Sequence, residues 1–320
     1  MTAPDQRVAR PQQNRAVPTD RGAKPAWLKV RVRTTPELER VQRIVRDEKL
    51  HTVCSSASCP NLSECWSRGT ATFMIGGNDC TRRCGFCDVH TGRPAALDPF
   101  EPARVARAVE QLGLKFAVIT CVARDDLEDG GASQMAATVR AIRRRMPGSG
   151  VEVLIADYQG DESALRAVLD ANPDVLNHNL ETVARLQRRV RPAASYERSL
   201  GVLRRAGELR PDIPTKSGLI LGMGERDDEI EQALVDLRAA GVTLLTMGQY
   251  LRPSADHLPV DRYVTPEQFD AFAQRARVLG FRDVAAGPLV RSSYHAEQLA
   301  RRSEPPENSR KSPAGPNSLG

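Results

Sequence analysis

Aromatic residues are scarce in this chain of 320 residues, with 2 Trp, 5 Tyr and 7 Phe making up 4% of the sequence. Proteins that bind single-stranded nucleic acid stack bases on aromatic side chains, and this chain has little material for such a surface. A large excess of charge is also missing, because 46 Lys and Arg against 40 Asp and Glu give a formal net charge of only +6. We therefore expect no nucleic-acid partner.

Long apolar runs are absent as well. No stretch of the sequence approaches the roughly 20 apolar residues of a membrane-spanning helix, and the first residues lack the apolar segment of a secretory signal. We therefore expect a cytoplasmic protein with no membrane contact. The 40% of hydrophobic residues is enough to build a core, which excludes a wholly disordered chain.

The two ends of the chain differ in composition from the middle. Residues 1–26 carry four prolines and many Arg and Gln, and residues 303–320 are rich in Ser, Pro and Asn, so we predict that both tails are disordered. Between the tails we predict an N-terminal extension over 27–70 and a main domain over 71–302.

In the main domain, short apolar runs alternate with segments of helical periodicity, which is typical of repeated βα units and a parallel sheet. A threonine N-cap, a first-turn proline and a capping-box glutamine at Thr265, Pro266 and Gln268 mark the start of the last long helix. Periodicity alone does not distinguish an open barrel from a flat doubly wound sheet. The six predicted strands are Thr72–Ile75, Ala117–Thr120, Val151–Ile155, Val175–Asn177, Thr215–Leu221 and Leu244–Gln249.

Six of the seven cysteines lie between positions 54 and 87, and in a reducing compartment such clustering indicates metal binding rather than disulfides. Cys80, Cys84 and Cys87 have the spacing CxxxCxxC just after a predicted strand. Three thiolates in so short a loop can hold three corners of a [4Fe–4S] cluster and leave the fourth iron open for a ligand. A zinc knuckle or a redox dithiol is the alternative, although the paired spacing of zinc sites is missing.

A second triplet, Cys54, Cys59 and Cys65, precedes the first predicted strand with the spacing CxxxxCxxxxxC. It could form half of a zinc site, but His51 is the only imidazole nearby in sequence. Cys121 and an oxygen donor from far along the chain remain alternatives for a fourth ligand, and Cys121 is also readily explained by packing.

The CxxxCxxC motif resembles that of the radical S-adenosylmethionine (SAM) superfamily, whose fold implies a partial (β/α)6 TIM-like barrel here, with N-terminal and C-terminal extensions closing over an auxiliary cluster. The two triplets in succession, together with Arg291-Ser292-Ser293-Tyr294, look like the lipoyl synthase family over about residues 27–302. The resemblance implies two [4Fe–4S] clusters and SAM as cofactors. One cluster would be held by Cys80, Cys84 and Cys87. The auxiliary cluster would be held by Cys54, Cys59, Cys65 and Ser292, the last as a releasable ligand with a catalytic role.

The resemblance further implies a sulfurtransferase that inserts two sulfur atoms, at C6 and C8, into an octanoyl chain carried on a protein lysine, with sulfur supplied by the auxiliary cluster. Its implied partners are octanoylated carriers (2-oxoacid dehydrogenase E2 lipoyl domains and the glycine cleavage H protein), a low-potential donor such as flavodoxin or ferredoxin, and an iron–sulfur carrier for cluster repair. A tRNA methylthiotransferase and a noncatalytic iron–sulfur sensor are the alternatives.

Other polar residues follow the predicted strands, where the loops of parallel βα units meet. We expect Asn179 and Glu181 to contact SAM, and Phe86 stands where the superfamily places an aromatic residue near this cofactor. His178 is left without a role, and Lys216 is expected to point inward or to the rim. The acidic loop 125–129 is either a SAM contact or a solvated turn. Arginine runs at 143–145, at 188, 189 and 191, and at 204–205 indicate solvated faces, with an acidic partner protein as the second hypothesis.

Overall fold

The computed structural model describes residues 24–29, 35–56, 59, 61–67, 72–293 and 296–297. The predicted disordered tails lie outside these residues, apart from residues 24–26. The division of the chain into an extension and a main domain stays a prediction.

The described residues form one eight-stranded sheet whose strand order follows the chain from β1 to β8. β1 pairs with β2 in the antiparallel direction, and every later neighbour is parallel. The strands are β1 (His51–Thr52), β2 (Thr72–Ile75), β3 (Phe116–Cys121), β4 (Gly150–Leu154), β5 (Val175–Asn177), β6 (Thr215–Leu221), β7 (Leu244–Gln249) and β8 (Asp283–Gly287).

All six predicted strands are present as β2 to β7, with ends that differ by at most one residue, but the count of six was wrong. β1 was not predicted because a strand of two residues is too short to show an alternation of apolar and polar residues. β8, with the sequence Asp-Val-Ala-Ala-Gly, has a single β-branched residue and so lacks the composition that marks a strand.

The order of the strands decides between the two arrangements that the periodicity left open. A doubly wound sheet reverses its strand order at a switch point, whereas this sheet runs from β2 to β8 without reversal. Within the described residues no pairing joins β8 to β1, so the barrel is open on one side. The partial α/β barrel is therefore confirmed, with seven parallel strands rather than six.

Helices cover the outside of the sheet and bury apolar side chains against it. The predicted capping box is present, because Gln268 N–H donates to Thr265 Oγ1 at 3.3 Å and Thr265 N–H donates to Gln268 Oε1 at 3.0 Å. The α-helices are α1 (Pro36–Asp47), α2 (Val53–Ser56), α3 (Leu62–Ser67), α4 (Glu101–Leu112), α5 (Ala132–Arg145), α6 (Glu162–Leu169), α7 (Gln187–Val190), α8 (Tyr196–Leu209), α9 (Asp227–Ala239) and α10 (Pro266–Val278).

The inside of the barrel is polar, in contrast to this outer layer. Val151 and Val153 belong to the apolar cluster under the helices, so the alternation of a strand turns Glu152 inward. On β6, Leu219 and Leu221 face the helices and Lys216 faces the interior, as predicted. The polar interior opens at the carboxyl ends of the strands, where the cysteine loops lie.

Candidate functional site

The loop that carries Cys80, Cys84 and Cys87 follows β2 and is anchored across the mouth of the barrel by backbone hydrogen bonds. Cys80 N–H donates to the His90 carbonyl at 2.8 Å, which folds the loop back on itself. Thr81 N–H donates to the Ala123 carbonyl at 3.1 Å and Gly85 N–H to the Val190 carbonyl at 2.8 Å. The loop is thus fastened to the segment after β3 on one side and to α7 on the other.

A buried arginine inside this loop ties it to two further strands. Arg82 donates to both oxygens of Asp125 at 2.7 Å and to Asp157 Oδ1 at 2.6 Å. Burial raises the pKa of Asp157, but the Arg82 guanidinium outweighs this effect and holds the pKa below its usual range. This carboxylate therefore stays charged. Such charge-assisted bonds fix the position of the loop more firmly than neutral ones.

The structure brings the three thiols of this motif together. Burial raises the pKa of Cys87, and with the smaller effects of the nearby charges of Cys84 and Cys80 it reaches about 12. Burial also raises the pKa of Cys84, with Cys80 again contributing. Arg82 N–H lies 3.4 Å from Cys80 Sγ and donates to it. Iron would have to displace these protons on binding, and it would then neutralise the charges of the buried thiolates.

Among the described residues, no three His, Cys, Asp or Glu side chains converge as the ligands of a single ion do. The ligands of a [4Fe–4S] cluster need no such convergence, because each thiolate binds a different iron. The absence of such a group is therefore compatible with a cluster at these cysteines.

Asn179 and Glu181, the predicted SAM contacts, lie together just beyond β5. Asn179 Nδ2 donates to Glu181 Oε1 at 3.0 Å, and the positive φ of 69° at Glu181 turns its side chain out of the strand direction. Burial raises the pKa of Glu181, although Arg191 opposes this effect. Gly218 leaves the room they need, because a Cβ there would lie 2.9 Å from Asn179 Oδ1.

The Asn179–Glu181 pair offers two acceptors to a ligand. Asn179 Oδ1 and Glu181 Oε2 are both buried without a hydrogen-bond partner among the described residues. Such buried acceptors are costly unless a ligand donates to them. The ammonium group, ribose hydroxyls and adenine amine of SAM are donors of the required kind, so the two residues fit this cofactor. Phe86 is half-buried and packs against the apolar cluster that includes Leu180.

In the second triplet, Cys54 lies in α2, Cys65 lies in α3 and Cys59 lies between the two helices. Cys59 N–H donates to the Cys54 carbonyl at 3.1 Å, and Cys65 N–H donates to the Asn61 carbonyl at 2.8 Å. Burial raises the pKa of Cys54, and with the smaller effect of the charge of Cys59 it reaches about 11. The buried Asn61 side chain then donates to the Leu289 carbonyl at 2.6 Å. This bond joins the cysteine loop to the segment that leads into Ser292.

That C-terminal segment passes directly over the barrel mouth. A side chain at Gly248 on β7 would overlap the Val290 carbonyl, so only glycine permits this approach. Arg291 Nη1 donates to the same carbonyl at 2.7 Å, and its charge lowers the pKa of Cys59, which burial raises. Ser292 follows Arg291, and the predicted Tyr294 lies outside the described residues.

The remaining predicted residues have protein partners. In the acidic loop, Asp125 pairs with Arg82, Asp126 with Arg124 at 2.9 Å, and Asp129 accepts from Ser133 N–H at 2.7 Å, which favours the structural interpretation. Cys121 packs against the first apolar cluster, as predicted.

Sequence analysis missed two parts of this site. Arg82 lies inside the cysteine motif. Apart from this position, no feature of the sequence indicated that it is buried between two carboxylates. Glu152, the partner of Lys216, was missed because it is a single charged residue in an otherwise apolar strand.

Comparison with known proteins agrees with this geometry. Residues 74–237 match the Radical SAM superfamily. The lipoyl synthase of Symbiobacterium thermophilum is 56% identical over 279 residues, which is 87% of each chain. That of Thermus thermophilus is 55% identical over 289 residues, which is 90% of this chain and 89% of the relative.

Among solved structures, Streptococcus suis SuiB bound to S-adenosylmethionine is similar with a TM-score of 0.51 at 9% identity, over 68% of this chain and 51% of its own. HydG, a hydrogenase maturase, is similar with a TM-score of 0.50 at 15% identity, over 83% of this chain and 71% of its own. At these identities the likeness concerns the fold alone. No helix in the described part of the chain is long and apolar enough to cross a membrane. Because the family relatives are alike over nearly the whole folded chain, the chain belongs to the radical SAM superfamily and, within it, to the lipoyl synthase family.

Proposed function

We propose that this enzyme inserts two sulfur atoms, at C6 and C8, into an octanoyl group attached to a lysine of a carrier protein, and that a second [4Fe–4S] cluster supplies the sulfur. The observation that carries the proposal is the 2.6 Å hydrogen bond from Asn61 to the Leu289 carbonyl. This bond joins the loop of Cys54, Cys59 and Cys65 to the segment that leads into Ser292, which supports the proposal that these four residues would hold the second cluster.

SAM and one [4Fe–4S] cluster belong to the chemistry of the superfamily, and together they supply a carbon radical able to remove hydrogen from an unactivated alkyl C–H bond. No side chain can act as acid, base or nucleophile on such a bond, so the protein contributes binding, orientation and the exclusion of water.

Cys80, Cys84 and Cys87 would hold the first cluster, in a loop whose position Arg82 fixes through Asp125 and Asp157. That cluster would leave one iron for SAM, and the acceptors Asn179 Oδ1 and Glu181 Oε2, which have no partner in the described residues, would bind its donor groups. Gly218 keeps the space beside Asn179 Oδ1 free, because a Cβ there would lie 2.9 Å from this oxygen.

Ser292 has a different task from the cysteines. A hydroxyl oxygen is a weaker ligand of iron than a thiolate, so it can be released when a sulfide must be exposed. Gly248 permits the close approach of Val290, and the short segment from Val290 would carry Ser292 to the loop. Arg291 adds positive charge beside Cys59, which favours the thiolate form that binds iron.

The substrate is an octanoylated carrier protein. We propose E2 lipoyl domains and the glycine cleavage H protein as the carriers, flavodoxin or ferredoxin as the electron donor, and an iron–sulfur carrier that rebuilds the second cluster after its sulfur is spent. A protein working with these partners acts in the cytoplasm, which is our proposal for its location.

The test is the mass of an octanoyl-lysyl peptide after anaerobic incubation with SAM, dithionite and the iron-reconstituted enzyme. We expect two sulfur atoms to be gained and two carbon-bound hydrogens to be replaced, with little or no change when Ser292→Ala is used. If 5′-deoxyadenosine forms while the peptide keeps its mass, the superfamily chemistry stands and the proposed substrate is wrong.

A further inference from the structure

Three exposed arginines surround the outer side of the loop that carries Cys84. Arg83 precedes this cysteine, and Arg188 and Arg189 belong to α7. The Gly85–Val190 hydrogen bond of 2.8 Å joins the two segments. Each of the three arginines is at most two residues along the chain from this hydrogen bond. We call Arg83, Arg188 and Arg189 the basic patch.

No carboxylate neutralises the basic patch within the described part of the chain. The arginines on either side of it are engaged, since Arg185 binds Glu229 at 2.6 Å and Arg191 donates to the Asn179 carbonyl at 3.0 Å. Elsewhere on the surface, exposed arginines such as Arg205 and Arg226 also pair with nearby carboxylates. Uncompensated like charges on one small area raise the local potential and attract a surface of opposite sign.

We propose that the basic patch binds a small acidic protein that carries a low-potential flavin or iron–sulfur centre. This partner protein would deliver an electron to the cluster at Cys80, Cys84 and Cys87. This inference rests on the proposed function, which requires one electron for each SAM that is cleaved. In the transfer, the donor is oxidised by one electron and the cluster is reduced by one, and no bond forms between the proteins.

The position of the patch favours this partner over the octanoylated carrier. Electron transfer needs only proximity to the cluster, and the patch begins at the residue before Cys84. The acyl chain must instead enter the barrel mouth, which the C-terminal segment at Val290 overlies.

The test compares the double variant Arg188→Glu, Arg189→Glu with the wild-type holoenzyme, with a flavodoxin as the probe. Arg144→Glu is the matched control, because Arg144 is an exposed arginine without an ion pair in the described residues. It lies near the carboxyl end of α5, and since β4 follows, it belongs to the opposite end of the barrel. Four quantities are measured: binding of the flavodoxin by calorimetry, the rate at which reduced flavodoxin bleaches the cluster, SAM cleavage with excess dithionite, and the KM for an octanoylated carrier.

We expect the double variant to lose at least about tenfold in flavodoxin binding and in bleaching rate, with a weaker dependence on salt, since removal of complementary charge slows association. Cleavage with dithionite should be unchanged, and Arg144→Glu should match the wild type throughout. Equal binding and bleaching rates in wild type and double variant would overturn the docking proposal. A defect confined to the KM for an octanoylated carrier would also overturn the docking proposal, because the patch would then bind the substrate protein. Failure of dithionite to support cleavage in the wild type would instead contradict the proposed function.

Discussion

Lys216 and Glu152 form an ion pair inside the barrel, with Lys216 Nζ 2.9 Å from both carboxylate oxygens. Both side chains are almost completely buried, and Asn177 Nδ2 adds a third hydrogen bond to Glu152 at 2.9 Å. The three residues come from β4, β5 and β6 and so tie three neighbouring strands together below the site.

Breaking this pair should destabilise the fold strongly. Lys216→Met leaves Glu152 buried without its counter-charge, and we expect a loss of about 3–5 kcal/mol in the free energy of unfolding. The double variant Lys216→Met, Glu152→Leu should recover most of this loss, because an apolar pair leaves no unpaired charge. Urea unfolding measures both. A double variant as unstable as the single one would contradict the explanation.

Arg82 should be needed to hold the cluster loop in place. Arg82→Gln removes the charge between Asp125 and Asp157 and leaves Asp157 buried beside one arginine, Arg198, at 3.2 Å. We expect weaker retention of iron and a stability loss of about 3 kcal/mol or more. Iron content after desalting and the urea midpoint measure these effects. The neighbouring Arg83→Gln is the control, because the Arg83 side chain is exposed and should leave both quantities unchanged.

Glu181 should contribute to SAM affinity through its unpaired oxygen. Glu181→Gln removes a charged acceptor, and a hydrogen bond to a charged group is worth about 1.5–3 kcal/mol, so we expect SAM to bind roughly 10-fold to 100-fold more weakly. Equilibrium dialysis of SAM against the cluster-loaded protein measures the Kd. Glu208→Gln on α8, which changes an exposed carboxylate, should not alter it. An unchanged Kd for Glu181→Gln would remove this residue from the SAM site.

His178 should remain neutral well below the usual pH of histidine titration. Burial, together with the smaller effect of the charge of Arg191, lowers the pKa of His178 from 6.5 to about 4. Its Nδ1 donates to the Ile155 carbonyl at 2.9 Å, so Nε2 accepts from Ser199 at 3.1 Å. This histidine is therefore a satisfied hydrogen-bonding residue without a place at the metal sites.

The pKa of His178 has a consequence for stability. Because the unfolded chain takes up this proton near pH 6.5 and the folded chain does not, its contribution to stability is present above pH 6.5 and is lost as the pH falls toward about 4. NMR of labelled histidine, assigned with His178→Gln, follows the titration. A midpoint near 6.5 would contradict the buried neutral form.

The sequence predicts much of this fold because the local patterns agree with the global one. β5, β6 and β7 were placed to the residue since apolar, β-branched runs mark buried parallel strands. β8 was missed because Ala and Gly carry no such mark. The cysteine spacing identifies the metal motifs, because the order and spacing of the predicted ligands can be seen directly in the sequence. By contrast, the Lys216–Glu152 pair depends on a register between nonadjacent strands, which only the folded sheet reveals.

The origin of the inserted sulfur tests the account most directly. The enzyme is reconstituted with heavy-isotope sulfide, freed of excess sulfide, and reacted with SAM, dithionite and an octanoyl-lysyl peptide under conditions that allow one turnover. We predict that both sulfur atoms of the product carry the heavy isotope, and that Ser292→Ala yields almost none of this product. Product containing sulfur of natural mass would contradict the role of the cluster at Cys54, Cys59, Cys65 and Ser292.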